Sequence, residues 1–265
     1  MSLETNDAGE PDYGIDAPGV RRAMLSAGVS GMIGAIATGY VSRRTERLGG
    51  AGPLLIGAAA LMGVYGLGMG AYMTRLSRVG KVRSAERLLD LADESKKWTG
   101  AERVLDVGCG RGLMMIGAAR RLTTGTAVGV DVWRKEDQAD NGPAAALENA
   151  AIAGVLDRVR VETGDARALP FDDASFDVVL SHWVVHNLPT DADRTRALDE
   201  MLRVLRPGGT LIVADIAHHE VYRDHLMASG LTIVHELTGG FESRASGVLS
   251  FGSSRPQAII GRLDR

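Results

Sequence analysis

The sequence predicts an α/β protein in which a mostly parallel sheet follows an N-terminal hydrophobic helical hairpin. Two long stretches near the N-terminus contain no charged residue, which indicates the hairpin. From about residue 101 onward, short apolar runs alternate with helical patterns, and a glycine-rich turn directly follows the first of these runs. Because strands that alternate with helices form parallel sheets covered by helices on both faces, this part is expected to be an α/β domain.

Residues 1–20 are polar and acidic, with glycine and proline and no apolar periodicity. A segment of this composition buries too little apolar surface to offset the entropy lost on ordering. We therefore expect a disordered acidic tail over residues 1–20.

Residues 21–80 contain both uncharged stretches, 23–41 and 49–74, and are predicted to form the helical hairpin. Each stretch is close to or above the roughly 20 residues with which a helix crosses a bilayer. Small residues at four-residue spacing, which let two helices approach closely, mark both stretches. They are Ala27, Gly31, Ala35 and Gly39 in the first stretch and Gly66 and Gly70 in the second. The favoured interpretation is a membrane anchor.

Other interpretations of the apolar hairpin compete with a membrane anchor. A signal peptide is disfavoured because a polar, acidic segment precedes the apolar residues and no obvious cleavage site follows them. A soluble helical lid, or an amphipathic pair lying in the membrane plane, is the main alternative. The ladder of small residues can also join two copies of the chain, so a homodimer is a further expectation to test.

Basic residues flank the hairpin and predict its orientation. The outer flanks of its two uncharged stretches hold Arg21, Arg22, Arg75, Arg78, Lys81 and Arg83, and the loop between them holds Arg43, Arg44 and Arg47. Since cytoplasmic flanks carry the excess of arginine and lysine, both ends of the hairpin are expected in the cytoplasm. The protein is thus predicted at a membrane, with the domain over residues 81–265 on the cytoplasmic side.

Residues 81–265 show the strand and helix patterns of the α/β domain. Candidate strands are 103–107, 127–131, 159–163, 176–181, 210–215, 231–236 and 257–262. Candidate helices are 84–98, 112–122, 143–153, 193–205 and 220–229. The last two strands have no convincing helix between them, so a hairpin with one antiparallel strand is expected there.

Composition excludes several classes of function. The formal net charge is -3 and the isoelectric point is about 6.1, so no basic face for nucleic acid is expected. Cys109 is the single cysteine, which excludes an internal disulfide framework and a multi-cysteine metal cluster. No metal site is predicted.

The glycine-rich turn after the first candidate strand is the strongest chemical signal. The strand carries Asp106 next to its last residue, and Gly108, Gly110 and Gly112 alternate with other residues up to the next helix. Glycines allow a tight turn and let a ligand approach the backbone without meeting a Cβ atom. This spacing differs from the dinucleotide fingerprint. A carboxylate before the turn suits a ligand with a cationic amino group better than a pyrophosphate, which points to S-adenosylmethionine.

Acidic residues at the ends of the next two strands fit the same ligand. Asp131 ends the second strand about 20 residues after the turn, where a carboxylate can accept both ribose hydroxyls. Trp133, just beyond it, is placed to lie against an adenine ring. Asp165, followed by Ala166, comes after the third strand, where a carboxylate can receive the adenine amino group.

In this order and spacing, the motifs between about residue 101 and residue 215 resemble those of a class I methyltransferase. The pattern is close to the ubiquinone/menaquinone-biosynthesis branch and other small-molecule branches. The resemblance implies a Rossmann-like, seven-stranded sheet whose last strand is reversed, with S-adenosylmethionine as the cofactor. The cofactor-binding residues expected are Asp106, Gly108, Cys109, Gly110, Gly112, Asp131, Val132, Trp133, Asp165, Ala166 and Ser181. The hairpin and the run 77–81 also resemble uncharacterised membrane-associated bacterial members.

Two histidines follow the fourth candidate strand and are the predicted catalytic residues. In this architecture the loop after that strand faces the transferred methyl group, so His182 and His186 are candidate general bases. Either of them can instead pack against the sheet or the cofactor. Methyl transfer from a sulfonium can also proceed by positioning alone, without a base.

The sequence therefore predicts an S-adenosylmethionine-dependent methyltransferase, anchored in a membrane and acting on a small or lipophilic acceptor. The co-occurrence of a hydrophobic hairpin with a complete set of cofactor motifs favours this function. The alternatives are a soluble small-molecule methyltransferase with a helical lid and a non-catalytic membrane scaffold that retains the fold. No nucleic-acid partner is expected.

Overall fold

The computed structural model describes residues 9–44, 50–134, 136–138, 140–238 and 256–264. The chain divides into two compact units. The helical unit comprises Ile15–Val79 and Glu136–Ala139, and the α/β unit comprises Met1–Gly14, Gly80–Lys135 and Asp140–Arg265.

The helical unit is an antiparallel pair of long helices, α1 (Pro18–Arg44) and α2 (Ala51–Arg75), in contact at glycine. A Cβ atom added at Gly31 would lie 2.6 Å from the backbone nitrogen of Gly63, and one at Gly66 would lie 2.6 Å from that of Gly28. The absence of side chains at these positions lets the two backbones touch. The predicted hairpin is therefore present.

The contact face of α1 differs from the predicted ladder by one residue. Its buried residues are Gly28, Gly31 and Ala35, whereas Ala27 is exposed. The spacing of three and then four residues follows the helical period of 3.6 more closely than a strict four-residue ladder does. On α2 the buried residues are Gly52, Gly63, Gly66 and Gly70, which include both predicted glycines.

The outward faces of the two helices carry large apolar side chains. Leu54 is 78% exposed, Leu61 72% and Ile36 70%. The hairpin therefore has small residues inside and large apolar residues outside, the reverse of a helix pair that is stable in water.

The α/β unit alternates strands with helices. Its helices are α3 (Lys81–Ser95), α4 (Leu113–Ala119), α5 (Pro143–Ile152), α6 (Asp191–Val204) and α7 (His219–Ala228). Its strands are β1 (Arg103–Val107), β2 (Thr126–Asp131), β3 (Val159–Thr163), β4 (Phe176–His182), β5 (Leu205–Asp215), β6 (Leu231–Leu237) and β7 (Gln257–Leu263). A π-helical turn, Leu76–Gly80, separates α2 from α3.

The seven strands form one sheet in the order β3-β2-β1-β4-β5-β7-β6. Strands β1 to β5 are parallel, and β7 is antiparallel to both β5 and β6. This confirms the predicted seven-stranded α/β fold with a reversed last strand. It also places the carboxyl ends of β1, β2, β4 and β5 at one edge of the sheet, which is where open α/β sheets bind their ligands.

Helices cover the sheet on both faces because successive strand residues point to opposite sides. On one face α3, α4 and α5 pack on residues such as Val104, Leu180 and Ile212. On the other, α6 and α7 pack on residues such as Leu105 and Val213. The result is a three-layer domain whose strand ends are fixed by two apolar cores.

The segment before α1 differs from the disordered tail that composition predicted. Residues 9–14, here called the strap, belong to the α/β unit, and residues 1–8 lie outside the described part of the chain. Asp12 exchanges two hydrogen bonds with the Asn149 side chain, at 3.0 and 2.9 Å. Arg111 Nε donates to the Asp12 carbonyl at 2.6 Å, and Lys81 Nζ to the Tyr13 carbonyl at 2.8 Å. Polar partners far along the chain order this segment, which local composition does not reveal.

Candidate active site

The predicted site residues lie at the carboxyl edge of the sheet, in the turns that leave β1, β2, β3 and β4. Asp106 is the second-last residue of β1, Asp131 ends β2, and Ser181 and His182 end β4. Val107 pairs with both Val130 and Ser181, so these strand ends are direct neighbours.

The turn after β1 requires its glycines. Gly108, Gly110 and Gly112 have φ angles of 75°, 51° and 90°, a region that side chains with a Cβ atom rarely adopt. A Cβ atom at Gly108 would also lie 2.3 Å from a methyl group of Val184. The amides of Gly108 and Cys109 both donate to the Val130 carbonyl, at 2.7 and 3.2 Å. These contacts hold the turn against the end of β2.

Asp106 is a buried carboxylate beneath this turn. It is 2% exposed, and its Oδ2 accepts a hydrogen bond from the Met115 amide at 2.9 Å. Burial raises its pKa to about 7, with the nearby charge of Asp131 adding to the effect and the Met115 amide opposing it. Because burial disfavours the ionised form of a carboxyl group, a cationic ligand beside it stabilises that form strongly.

Asp131 joins the turn after β1 to the loop after β2. Its Oδ2 accepts from the Gly110 amide at 2.8 Å and its Oδ1 from the Trp133 amide at 2.6 Å. Trp133 has a φ of 60°, and its indole Nε1 donates to Thr163 Oγ1 at 2.9 Å. Each carboxylate oxygen keeps one lone pair for a further donor such as a ribose hydroxyl.

The remaining predicted residues of these loops have different exposures. Cys109 is buried, with its Sγ facing Gly129, where an added Cβ atom would lie 2.6 Å away. Burial raises the pKa of the Cys109 thiol, which keeps it protonated and unreactive. Val132 is 45% exposed, and Ser181 is buried in the sheet. The side chains of Cys109 and Ser181 are thus buried beside the turn, and their predicted contact with the cofactor stays a prediction.

The structure places Asp165 in an ion pair. Arg167 donates to the Asp165 carboxylate through Nε and Nη2, the latter at 2.6 Å, and to Asp193 through Nη1 at 2.9 Å. The hydrogen bonds from Arg167 lower the pKa of Asp165 to about 2. Ala166, next in the chain, packs against the core under α6 and α7. The carboxylate is ionised and half exposed, with Arg167 as its principal partner.

The two predicted bases have unlike surroundings. Within the described part of the chain, His182 Nε2 is buried without a hydrogen-bond partner. Burial, followed by the nearby Lys81 charge, lowers the pKa of His182 to about 4. His186 Nδ1 lies 2.5 Å from Oδ1 of Asp215, a buried residue at the end of β5.

Sequence reasoning missed Asp215. It ends a candidate strand at the same edge as Asp106 and Asp131, so its position was available as a signal. Its pairing with His186, 29 residues away, requires the parallel alignment of β4 and β5 to be known. In the described residues, no three histidine, cysteine or acidic side chains are grouped as metal ligands would be.

The part of the chain that holds this site is similar to a known protein family. Residues 105–213 match a family model described as a methyltransferase domain. They include the turn after β1, the loops after β2, β3 and β4, and most of β5. The chain carries a methyltransferase domain.

Curated relatives of the chain include two that are named as methyltransferases. The methyltransferase GfsG of Streptomyces halstedii is 35% identical over 133 residues, which is 50% of this chain and 44% of the relative. The ubiquinone/menaquinone biosynthesis C-methyltransferase UbiE of Geobacter sulfurreducens is 32% identical over 122 residues, 46% of this chain and 44% of the relative. The chain thus spans about half the length of the curated relatives it matches.

A solved structure supports the fold of the methyltransferase domain. The putative sarcosine dimethylglycine methyltransferase of Galdieria sulphuraria superposes with a TM-score of 0.56 at 17% identity. The match covers 69% of this chain and 86% of that protein. At this identity the likeness concerns the architecture alone.

The residues of the methyltransferase domain fit S-adenosylmethionine. The turn has no Cβ atom at Gly108, Gly110 or Gly112, so a ligand can approach its backbone closely, and buried Asp106 suits the cofactor's ammonium group. Asp131, with a spare lone pair on each oxygen, suits the ribose hydroxyls. When bound, the cofactor supplies a methyl group on a cationic sulfonium. S-adenosylmethionine is the cofactor for which this site is built.

Proposed function

We propose that the protein is an S-adenosylmethionine-dependent methyltransferase, anchored in the cytoplasmic membrane by α1 and α2, that methylates a small lipophilic acceptor at the bilayer surface. The observation that carries the membrane part is the inverted packing of the hairpin. Glycines form its interior and large apolar side chains its exterior.

The dimensions and burial of the helices support an anchor over a soluble lid. At 27 and 25 residues, α1 and α2 are about 40 and 37 Å long, enough for a hydrocarbon layer of about 30 Å. Only 11% of the most apolar segment of α1 is buried, and only 17% of the most apolar segment of the helical span Ala51–Ser95, which begins with α2. A lid or core helix would bury its apolar face against the protein, so these exposed faces favour lipid as the surrounding medium.

Polar contacts are found at the ends of the hairpin, where the bilayer interfaces would lie. Arg21 Nε donates to Thr74 Oγ1 at 2.6 Å at its open end. At the other end, the guanidinium of Arg44 lies 4.7 Å from the centre of the Tyr40 ring. Arginine and tyrosine are the residues that anchor helices at membrane interfaces. The glycine faces are occupied within the hairpin, so the proposal does not include a homodimer.

The membrane part can be tested by extraction and labelling. We expect the full-length protein to stay in the membrane pellet after an alkaline carbonate wash. An Arg43→Cys variant is expected to react with an impermeant maleimide in intact cells, and a Ser95→Cys variant only after permeabilisation. The buried thiol of Cys109 gives a low background. Release by carbonate would contradict the anchor and favour the soluble lid.

The catalytic part can be tested with the detergent-solubilised full chain. We expect calorimetric binding of S-adenosylmethionine that Asp106→Ala and Asp131→Ala both abolish. With methyl-tritiated cofactor and a bacterial lipid extract, label is expected in the organic phase. A folded protein that does not bind the cofactor would instead be a scaffold. Label found only in the aqueous phase would exclude a lipophilic acceptor.

A further inference from the structure

The carboxylate of Asp215 is held by four hydrogen bonds. Its Oδ1 contacts His186 Nδ1 at 2.5 Å and accepts from the Ile216 amide at 2.8 Å. Its Oδ2 accepts from the His186 amide at 2.9 Å and from the Tyr222 hydroxyl at 3.3 Å. Asp215 is 3% exposed, and Tyr222 is 1% exposed. Both the carboxylate and the His186 ring are therefore fixed in orientation by buried groups.

This geometry selects one tautomer of His186. An ionised carboxylate can only accept hydrogen bonds, so the proton of the neutral imidazole lies on Nδ1. Nε2 then keeps its lone pair. It makes no hydrogen bond to the described part of the chain, and the His186 side chain is 20% exposed. An accessible lone pair on a ring oriented by a carboxylate is the arrangement of a general base.

His182 lacks these properties. Its Nε2 is buried without a partner among the described residues, and its ring stacks on Trp183 with centroids 5.0 Å apart. The nearby Lys81 charge and the burial both oppose protonation of the ring. A ring whose free nitrogen is buried and which resists a proton is a poor base for an acceptor that must enter and leave.

We propose that His186 Nε2 takes the proton of a hydroxyl group on the acceptor, and that Asp215 is the positioning residue that keeps Nε2 unprotonated. This inference rests on the proposed function, because it names the acceptor class of the same site. A neutral hydroxyl oxygen is a weak nucleophile, whereas an amine or a thiolate needs no base of this kind.

Proton transfer to His186 accompanies the transfer of the methyl group. The acceptor oxygen forms a bond to the methyl carbon while the carbon–sulfur bond breaks and its electron pair stays on sulfur. The hydroxyl proton passes to His186 Nε2. The resulting imidazolium is stabilised by the Asp215 carboxylate and releases its proton to water after the methylated product leaves.

The tautomer can be read without any acceptor, by ¹⁵N NMR of histidine-labelled full-length protein in detergent. We expect the His186 ring proton on Nδ1 in the parent. In an Asp215→Asn variant the amide can donate to Nδ1, which moves the ring proton to Nε2. Asp199→Asn is the matched control, because exposed Asp199 pairs with His225 at 2.7 Å outside the site. A parent with the His186 proton on Nε2 would overturn the proposal.

The acceptor class can be read from the labelled lipid product. Hydriodic acid releases the methyl group of an ether or ester as volatile methyl iodide but leaves a methyl group on carbon in place. We expect volatile label, and a loss of about a hundredfold or more in single-turnover rate for His186→Gln and Asp215→Asn at unchanged cofactor affinity. Label retained on carbon, or variants as fast as Asp199→Asn, would refute the base.

The measurements distinguish failure of the proposed membrane methyltransferase function from failure of the hydroxyl acceptor and its base. Absence of any labelled lipid contradicts the proposed function, and the tautomer measurement then still decides whether Asp215 orients His186 as inferred. Labelled lipid that resists hydriodic acid leaves the membrane methyltransferase intact and refutes only the hydroxyl acceptor.

Discussion

At the scale of single residues, the site combines a buried carboxyl group with a turn that only glycine can form. Asp106 is buried under the glycine turn, and its pKa of about 7 results from the loss of water around it. A cationic group bound beside it would supply the charge partner that the apoprotein lacks. Cofactor binding should therefore be linked to the ionisation of this one side chain.

The first prediction is that cofactor binding releases a proton below pH 7. With a pKa of about 7, Asp106 is about nine-tenths protonated near pH 6, and the ammonium group of the cofactor favours the carboxylate. Affinity is thus expected to rise with pH up to about 7 and then level off. Calorimetry in buffers of different ionisation enthalpy measures the release. Asp106→Asn should show none, and equal release by both proteins would disprove the assignment.

The second prediction separates backbone strain from space at the glycine turn. Gly108 and Gly154 both have left-handed φ angles, 75° and 71°, but only Gly108 has a neighbour within 4 Å of an added Cβ atom. Both alanine variants should lose about 1 kcal/mol to strain. Gly108→Ala should lose further stability through overpacking against Val184, by about 1–3 kcal/mol, and also cofactor binding. Thermal unfolding and calorimetry compare them, and equal losses would contradict the steric reason.

At the scale of elements, the hairpin is a pair of helices held together by close backbone approach. Glycine contacts such as Gly31 with Gly63 bring α1 and α2 together, while their leucines and isoleucines face away. In the proposed bilayer, association of this kind would depend on van der Waals fit and not on apolar burial, because lipid is as apolar as the helix surfaces. The stability of the hairpin should therefore be highly sensitive to a single methyl group added at one of these glycines.

The third prediction uses two glycines on the same helix. A Cβ atom at Gly66 would lie 2.6 Å from both the Gly28 nitrogen and the Met24 carbonyl oxygen, whereas one at Gly68 would meet nothing within 4 Å. Gly66→Ala is expected to destabilise the hairpin by about 1–3 kcal/mol through overpacking. Gly68→Ala should be neutral or slightly stabilising. Unfolding in mixed detergent micelles measures both, and similar behaviour of the pair would argue against glycine-mediated packing.

How much the sequence predicts also depends on the scale of the feature. Most strands of the α/β unit were predictable almost to the residue, since buried parallel strands such as β2 and β4 contain continuous runs of apolar residues between turns. β5 begins at Leu205, five residues earlier than expected, because its Pro207–Gly209 segment continues the strand instead of ending the preceding helix. The Asp215–His186 pair and the strap escaped prediction because both depend on contacts between distant parts of the chain.

At the scale of the whole molecule, residues 15–79 are an insertion into the α/β unit. The chain leaves that unit after Gly14 and re-enters it at Gly80. The flanking residues Tyr13 and Lys81 are in contact, with Lys81 Nζ 2.8 Å from the Tyr13 carbonyl oxygen. The two points of exit and entry are therefore close together, as for an insertion in a surface turn.

The fourth prediction is that residues 15–79, which include α1 and α2, can be excised without loss of the cofactor site. Replacing residues 15–79 by a short glycine–serine linker keeps the strap and its contacts with Arg111, Asn149 and Lys81. We expect a protein that remains in solution without detergent and binds S-adenosylmethionine within about threefold of the parent affinity, a change under 1 kcal/mol. Deletion of residues 1–79, which also removes the strap, should bind less well. An excised protein that aggregates would show that the α/β unit depends on the hairpin.

The strap also sets an order of events during synthesis. Asp12 is made before either apolar helix, yet its partner Asn149 lies 137 residues further along the chain. Ribosomes add about 5–20 residues per second, so the strap waits for several seconds before its partner has been translated. The strap is thus made before α1 and α2, but it can dock on the α/β unit only after both helices and the segment that carries Asn149 have been translated.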